Sequence, residues 1–102
     1  MGYLELEQFD LAPGVTQDAF SVLDDGMQAW SYVHREGLRR RTTAYGGDRG
    51  VLVVSVFGGS TPPVALELDA AAGGARGDDP LDALRGAIEP GSYRRSVFED
   101  RG

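Results

Sequence analysis

The chain has no cysteine and no lysine, and only one histidine and one tryptophan among its 102 residues. Without cysteine there is no disulfide frame and no thiolate for nucleophilic, redox or metal chemistry. A single imidazole cannot build a zinc-type site, so only hard oxygen ligands are left. Asp78, Asp79 and Asp82 carry charge suited to calcium but lack the spacing of a binding loop, and no metal or cofactor is expected. Long apolar runs are missing too. The longest, Val51-Leu52-Val53-Val54, is far short of the roughly 20 residues a membrane span needs. Met1-Gly2-Tyr3-Leu4-Glu5 does not follow the basic-then-apolar pattern of a signal peptide. The expectation is one cytoplasmic domain, residues 1–102, that neither crosses nor binds a membrane. Gly46-Gly47-Asp48-Arg49-Gly50 and Gly73-Gly74 do not match phosphate-loop patterns, and no nucleophile elbow is present.

Positive charge is also scarce. Ten arginines face sixteen acidic residues, giving a net charge of -6. Such a chain is a poor match to the phosphate backbone that dominates nucleic-acid affinity, so no nucleic-acid partner is expected. The one basic cluster, Arg39-Arg40-Arg41, alternates faces if it lies in a strand. It then forms no contiguous stripe and reads as an exposed, salt-bridged strand.

What is present reads as alternating strands and helices. Residues 3–11 alternate apolar and polar, the period of a half-buried strand. The phase slips after Glu7: Leu4 and Leu6 share one face, Phe9 and Leu11 the other, as a bulge or a departing strand would produce. Ala12-Pro13-Gly14 is a turn. Thr16 suits a helix N-cap. Phe20, Leu23, Met27, Trp30 and His34 then recur at steps of three and four, one stripe of a helix over residues 16–35 that closes at Gly37. Gly26 is a weak point inside it. Leu38–Tyr45 and Val51–Phe57 read as a hairpin around residues 46–50, the second strand being apolar on both faces and therefore central. Pro62 or Pro63 suits a first helical turn, with Val64–Ala72 continuing it. Residues 73–79 are a loop. Asp79 is placed to cap a second short helix from Pro80 to about Ile88, and Ser92–Glu99 is a last strand. The order β-α-β-β-α-β predicts an α+β fold of ferredoxin-like type: a four-stranded antiparallel sheet with helices on one face.

That order, together with Phe20-Ser-Val-Leu-Asp24 and Gln28 on the first helix, Glu36-Gly37-Leu38-Arg39-Arg40-Arg41-Thr42-Thr43, the Val-Leu-Val-Val strand and the closing Tyr93–Glu99, resembles the dimeric α+β barrel superfamily. The resemblance implies a homodimer whose two sheets pack face to face, with a cleft between sheet and helices in each subunit. Members include cofactor-free oxygenases of aromatic polyketides, haem-degrading monooxygenases, haem peroxidases and small-ring isomerases, and fold alone does not choose among them. Where oxygenase-like members carry a tryptophan late in the third strand and an asparagine four residues before it, this chain has Phe57 and Val53. The histidine that haem-degrading members place on the second helical segment has no counterpart, because His34 ends the first helix.

Three constellations carry candidate chemistry. Trp30 and His34, four apart, share a helical face with Tyr32 nearby; His34 is the candidate general base and Trp30, Tyr32 and Phe57 candidate contacts to a planar ligand. Against that, a core tryptophan and a histidine at a helix C-terminus explain the same residues. Glu5 and Glu7 with Arg39 and Arg41 form either a pocket in which arginines bind an anionic group or a charge-paired sheet face that fixes dimer register. Asp24, Asp25 and Gln28 read as a solvated helix face. Two functions stay open: binding or transforming a small apolar or aromatic molecule in the sheet–helix cleft, of the cofactor-free oxygenase or cyclase type, and a non-catalytic dimerising module of structural or regulatory role.

Overall fold

The elements form in the expected order in a computed structural model that describes residues 1–68 and 80–102: β1 (Gly2–Asp10), α1 (Gln17–His34), β2 (Leu38–Gly46), β3 (Gly50–Gly58), α2 (Pro80–Ala87) and β4 (Arg94–Asp100). The four strands make one sheet in the order β2-β3-β1-β4, with every neighbouring pair antiparallel. This is the ferredoxin-like arrangement, in which β1 and β3 occupy the centre. The run Val51–Val54 lies in β3, consistent with its apolar residues on both faces.

Local signals explain α1. The Thr16 hydroxyl accepts from the Ala19 backbone N–H at 3.1 Å, a side-chain cap on the first turn. Arg35 is the C-cap, and Gly37 follows with φ 81°. A Cβ on Gly37 would lie 2.8 Å from the Gly58 carbonyl oxygen, so glycine is required both by its backbone angle and by the approach of β3.

The core lies between one sheet face and the two helices. Phe9, Leu11, Val51 and Val53 from the sheet segment meet Phe20 and Met27 from α1 and Leu84 and Ala87 from α2. Phe9 and Phe20 pack edge to face with ring centroids 5.7 Å apart.

Several expectations are corrected here. β1 has no bulge: its pairing with β3 runs unbroken from Gly2↔Gly58 to Asp10↔Gly50. The phase slip has another cause. Odd positions face the helices throughout, so Glu5 and Glu7 point inward beside Phe9 and Leu11, while Leu4 and Leu6 point to the opposite face. The irregularity in pairing falls instead in β2, between Leu38 and Arg40. The buried line of α1 is Phe20, Asp24, Met27 and Ser31, so the inward face is half polar, and Leu23 and Trp30 are only partly buried on its flank. Residues 62–68 are not helical. Pro63 biases Pro62 away from helical geometry, and Glu67 has φ 54°. The rest of that expected helix, the loop over 73–79 and the capping role of Asp79 lie outside the described residues. Among the described residues no helix is long and apolar enough to cross a membrane.

Candidate functional site

Antiparallel register places a polar band across the middle of the helix-facing sheet surface. Arg41, Ser55 and Glu5 are cross-strand neighbours in one row, and Thr43, Val53, Glu7 and Arg95 in the next. Glu5, Ser55, Glu7 and Arg41 are all buried there. Buried charges need partners, and α1 supplies many of them.

Glu5 is fully buried and holds two arginines. Arg35 binds it in bidentate fashion, Nη1 to Oε1 at 2.6 Å and Nη2 to Oε2 at 2.9 Å, and Arg95 adds Nε to Oε2 at 2.8 Å. The Arg35 guanidinium also lies 4.8 Å from the centre of the Phe57 ring. Burial pushes the Glu5 carboxyl up, but the hydrogen bonds and charges of Arg35 and Arg95 outweigh it and hold the group below the usual carboxylate range. Glu7, two residues on and facing the same way, accepts from the Tyr93 hydroxyl at 2.5 Å. Burial, reinforced by the nearby Glu5 charge, pushes it up to about 7. Burial and the Glu7 charge in turn push the Tyr93 phenol up. The hydroxyls of Ser31 and Ser55, both fully buried, find no hydrogen-bond partner among the described residues.

At the β2 side of the band Arg41 donates to Asp24 Oδ1 at 2.7 Å and to Gln28 Oε1 at 2.9 Å, and the Thr43 hydroxyl donates to Asp24 Oδ2 at 2.6 Å. Asp24 and Gln28 are therefore not a solvated face: they converge on Arg41, and Asp25 alone of that trio is well exposed. The expected Glu–Arg set is corrected as well. Glu5 pairs with Arg35 and Arg95 beneath the helices, rather than with Arg39 and Arg41. The Arg39–Arg41 run is exposed only at Arg39 and Arg40.

Beyond the band, at the C-terminal end of α1, the sheet–helix space opens into a cleft of about 580 Å³. Trp30, His34 and Arg35 line it from α1, Phe57 and Gly58 from the end of β3, and Gly59–Leu66 form its outer wall. The Trp30 and His34 rings lie 4.7 Å apart with 31° between their planes. The closed apolar core fills the other end of the interface, where Phe20 and Met27 are fully buried. Of the residues singled out in the sequence, Trp30, His34 and Phe57 meet in the cleft. Arg39 lies at its margin, close enough that a Cβ on Gly58 would strike its guanidinium at 2.3 Å. Tyr32 and Arg41 sit elsewhere: the Tyr32 hydroxyl accepts from the Arg41 backbone N–H at 3.1 Å, on the edge strand β2. Arg35 and Arg95 were missed because neither lies in a cluster or on a recognisable stripe. The usable signal was two inward-facing glutamates on one strand, which require buried cations. No three His, Asp or Glu side chains among the described residues are grouped so as to hold a metal ion.

Comparison with protein-family models, with curated proteins and with solved structures gives no match for this chain.

Proposed function

We propose that this protein binds a small planar apolar or aromatic molecule in the cleft at the end of α1. The observation that carries the reading is the convergence of Trp30, His34 and Phe57 on one open space of about 580 Å³, a volume in the range of small-molecule sites. The half-buried Trp30 ring gives flat apolar contact, Phe57, buried beneath the Arg35 guanidinium, backs the floor, and His34, exposed at the rim against Trp30, and Glu36 are the groups there suited to moving a proton. Proton-transfer chemistry on an aromatic substrate, of the cofactor-free oxygenase or cyclase type, is the reaction class this set would serve.

The test uses Trp30 as its reporter, since it is the only tryptophan in the chain. Titration with 2-naphthol is expected to quench its emission saturably, with one site per chain. Ala65→Phe, which fills the wall side of the cleft without removing a buried group, is expected to weaken binding about tenfold, roughly 1.4 kcal/mol. Quenching that never saturates, or that Ala65→Phe leaves unchanged, sinks the reading.

The second reading, a dimerising module, is favoured by a separate observation on the other side of the sheet. Leu4, Leu6, Leu52, Val54 and Val56 form an aliphatic patch on the face away from the helices, with Phe98 beside them at 55% exposure. A second copy of the chain is the partner proposed for it, as in a dimeric α+β barrel. The two readings are compatible, because cleft and patch lie on opposite sides of the sheet.

A further inference from the structure

The wall of the cleft has no secondary structure of its own, yet its carbonyls are bound by arginines from three different elements. Arg35, at the end of α1, donates Nη2 to the Val64 carbonyl at 2.9 Å. Arg95, on β4, donates Nη2 to the Pro63 carbonyl at 2.8 Å. Arg85, on α2, donates Nη2 to the Leu66 carbonyl at 3.4 Å and Nε to the Glu67 carbonyl, just past the wall, at 3.0 Å. The first two arginines share one further partner: both are fixed on Glu5. Each therefore bridges the buried carboxylate to a wall carbonyl.

We infer that Glu5 is a positioning residue of the cleft, setting the shape of the wall through Arg35 and Arg95 without touching the bound molecule. The physical case is one of geometry and entropy. Arginine presents its donors in a rigid planar fork. Once its carboxylate-facing edge is locked by Glu5, the remaining N–H groups point in fixed directions, and the carbonyls of Pro63 and Val64 are held where those directions lead. A segment without a backbone ladder otherwise keeps conformational freedom that a ligand would have to remove on binding. The arrangement also accounts for a costly feature of the sheet. A carboxylate in the central strand, fully buried, needs two buried or half-buried cations to satisfy it, and an apolar residue there would avoid the requirement. What the ion cluster supplies that an apolar side chain cannot is the pair of directed donors facing the wall.

The inference rests on the binding reading for its functional part, and the experiment separates the two. Backbone order parameters of Val64, Ala65 and Leu66 are measured by ¹⁵N relaxation, alongside 2-naphthol titration of Trp30 fluorescence, for the wild type and for Glu5→Gln, Arg95→Gln and Glu7→Gln. Arg95 sits on an edge strand and is partly exposed, so Arg95→Gln keeps the Glu5–Arg35 pair and tests the strap even if Glu5→Gln does not fold. In the wild type the wall is expected to be rigid, with order parameters of about 0.85, and in Arg95→Gln to fall below about 0.6 while β1 and β3 stay rigid. Naphthol binding is expected to weaken about tenfold in the same variant, as preorganisation is lost. Glu7→Gln, which leaves both arginines on Glu5, is expected to change neither readout. A wall that stays ordered in folded Arg95→Gln overturns the inference, as does equal loosening by Glu7→Gln. A wall that loosens as expected, in a protein whose wild type shows no saturable quenching, upholds the strap and overturns the binding reading instead.

Discussion

Two glutamates two residues apart on one strand, facing the same way, carry opposite pKa shifts. Glu5 has two arginines and is held low; Glu7 accepts from the Tyr93 hydroxyl and feels the charges of Arg35 and Arg41, but burial and the Glu5 charge outweigh them and push it up to about 7 from an ordinary 4.5. The consequences for stability have opposite signs. Between about pH 4.5 and 7 native Glu7 keeps a proton that the unfolded chain has released, so unfolding becomes easier as pH rises through that window. At most about 3–4 kcal/mol is involved, from 1.36 kcal/mol per pH unit over the shift from 4.5 to about 7. Glu5 contributes in the other direction: its stabilised carboxylate supports the fold above the usual carboxylate range and that support is lost on acidification. Chemical denaturation across pH 4 to 9 is therefore expected to show stability falling between pH 4.5 and 7 in the wild type. In Glu7→Gln the slope is expected to flatten, with a gain of order 1–3 kcal/mol above pH 7. Tyr93→Phe is expected to move the window upward, because the phenol donates to the carboxylate and favours its charged form. A wild-type profile flat from pH 4.5 to 7 would show that Glu7 is ionised throughout.

At the level of elements, α1 is the one most fully specified by its own residues, and its weakest point is equally readable. Gly26 is exposed in the helix interior, and a Cβ there meets nothing within 4 Å. Gly26→Ala is expected to stabilise the protein by about 0.5–1 kcal/mol through backbone entropy alone. Thermal unfolding would register this as a rise of about 2–8 °C for a domain of this size. No rise would mean that α1 contributes little to the cooperative unit. The caps, the hairpin and the central apolar strand were legible for the same reason as Gly26: each signal is local. The inward face of α1 was not. Hydrophobic periodicity assumes that apolar residues face the core, and here Asp24 and Ser31 do so while Trp30 sits at a flank. The same pattern left open which face of β1 holds Glu5 and Glu7. Pro62-Pro63 suggested a helix start, but residues 62–68 are not helical: Pro63 restricts Pro62, Glu67 has φ 54°, and arginines distant in sequence bind the carbonyls of Pro63, Val64 and Glu67. Of the site, Trp30, His34 and Phe57 could be picked out because rare aromatic and imidazole side chains stand out singly. Arg35 and Arg95 could not, because their role exists only once β1, β4 and the wall are assembled.

For the molecule as a whole, the sheet follows the usual rule of an apolar face toward the helices at Phe9, Val51 and Val53 but departs from it in the middle of β1. At the centre of β1 the charges point in and the leucines point out. Leu4 faces Val56 on one side and Phe98 on the other, and Leu6 faces Val54, so the apolar positions are contiguous across three strands. Leu4, Leu6, Leu52, Val54 and Val56 are part-exposed and Phe98 is exposed, a contiguous apolar surface of the kind that fits the proposed pairing of two copies. Its rim carries both signs, with Arg40, Arg94, Asp10 and Asp100 on the same face, so a two-fold related copy meets opposite charges and not a surplus of one. In the proposed dimer a face-to-face pair of sheets would bury the patch at a spacing of about 10 Å. Light scattering coupled to size exclusion is expected to give twice the 10.9 kDa chain mass for the wild type. Val54→Asp, at the centre of the patch on a central strand, is expected to give monomer. Because Val54 points away from the helices, that monomer is expected to keep its far-ultraviolet circular dichroism and the quenching of Trp30 by 2-naphthol. A wild type that elutes as monomer at all concentrations removes the paired-sheet assembly and leaves the open face to another partner. A Val54→Asp monomer that folds but no longer binds the probe would show instead that pairing of the sheets shapes the cleft on the far side, and that dimer and site form a single cooperative structure.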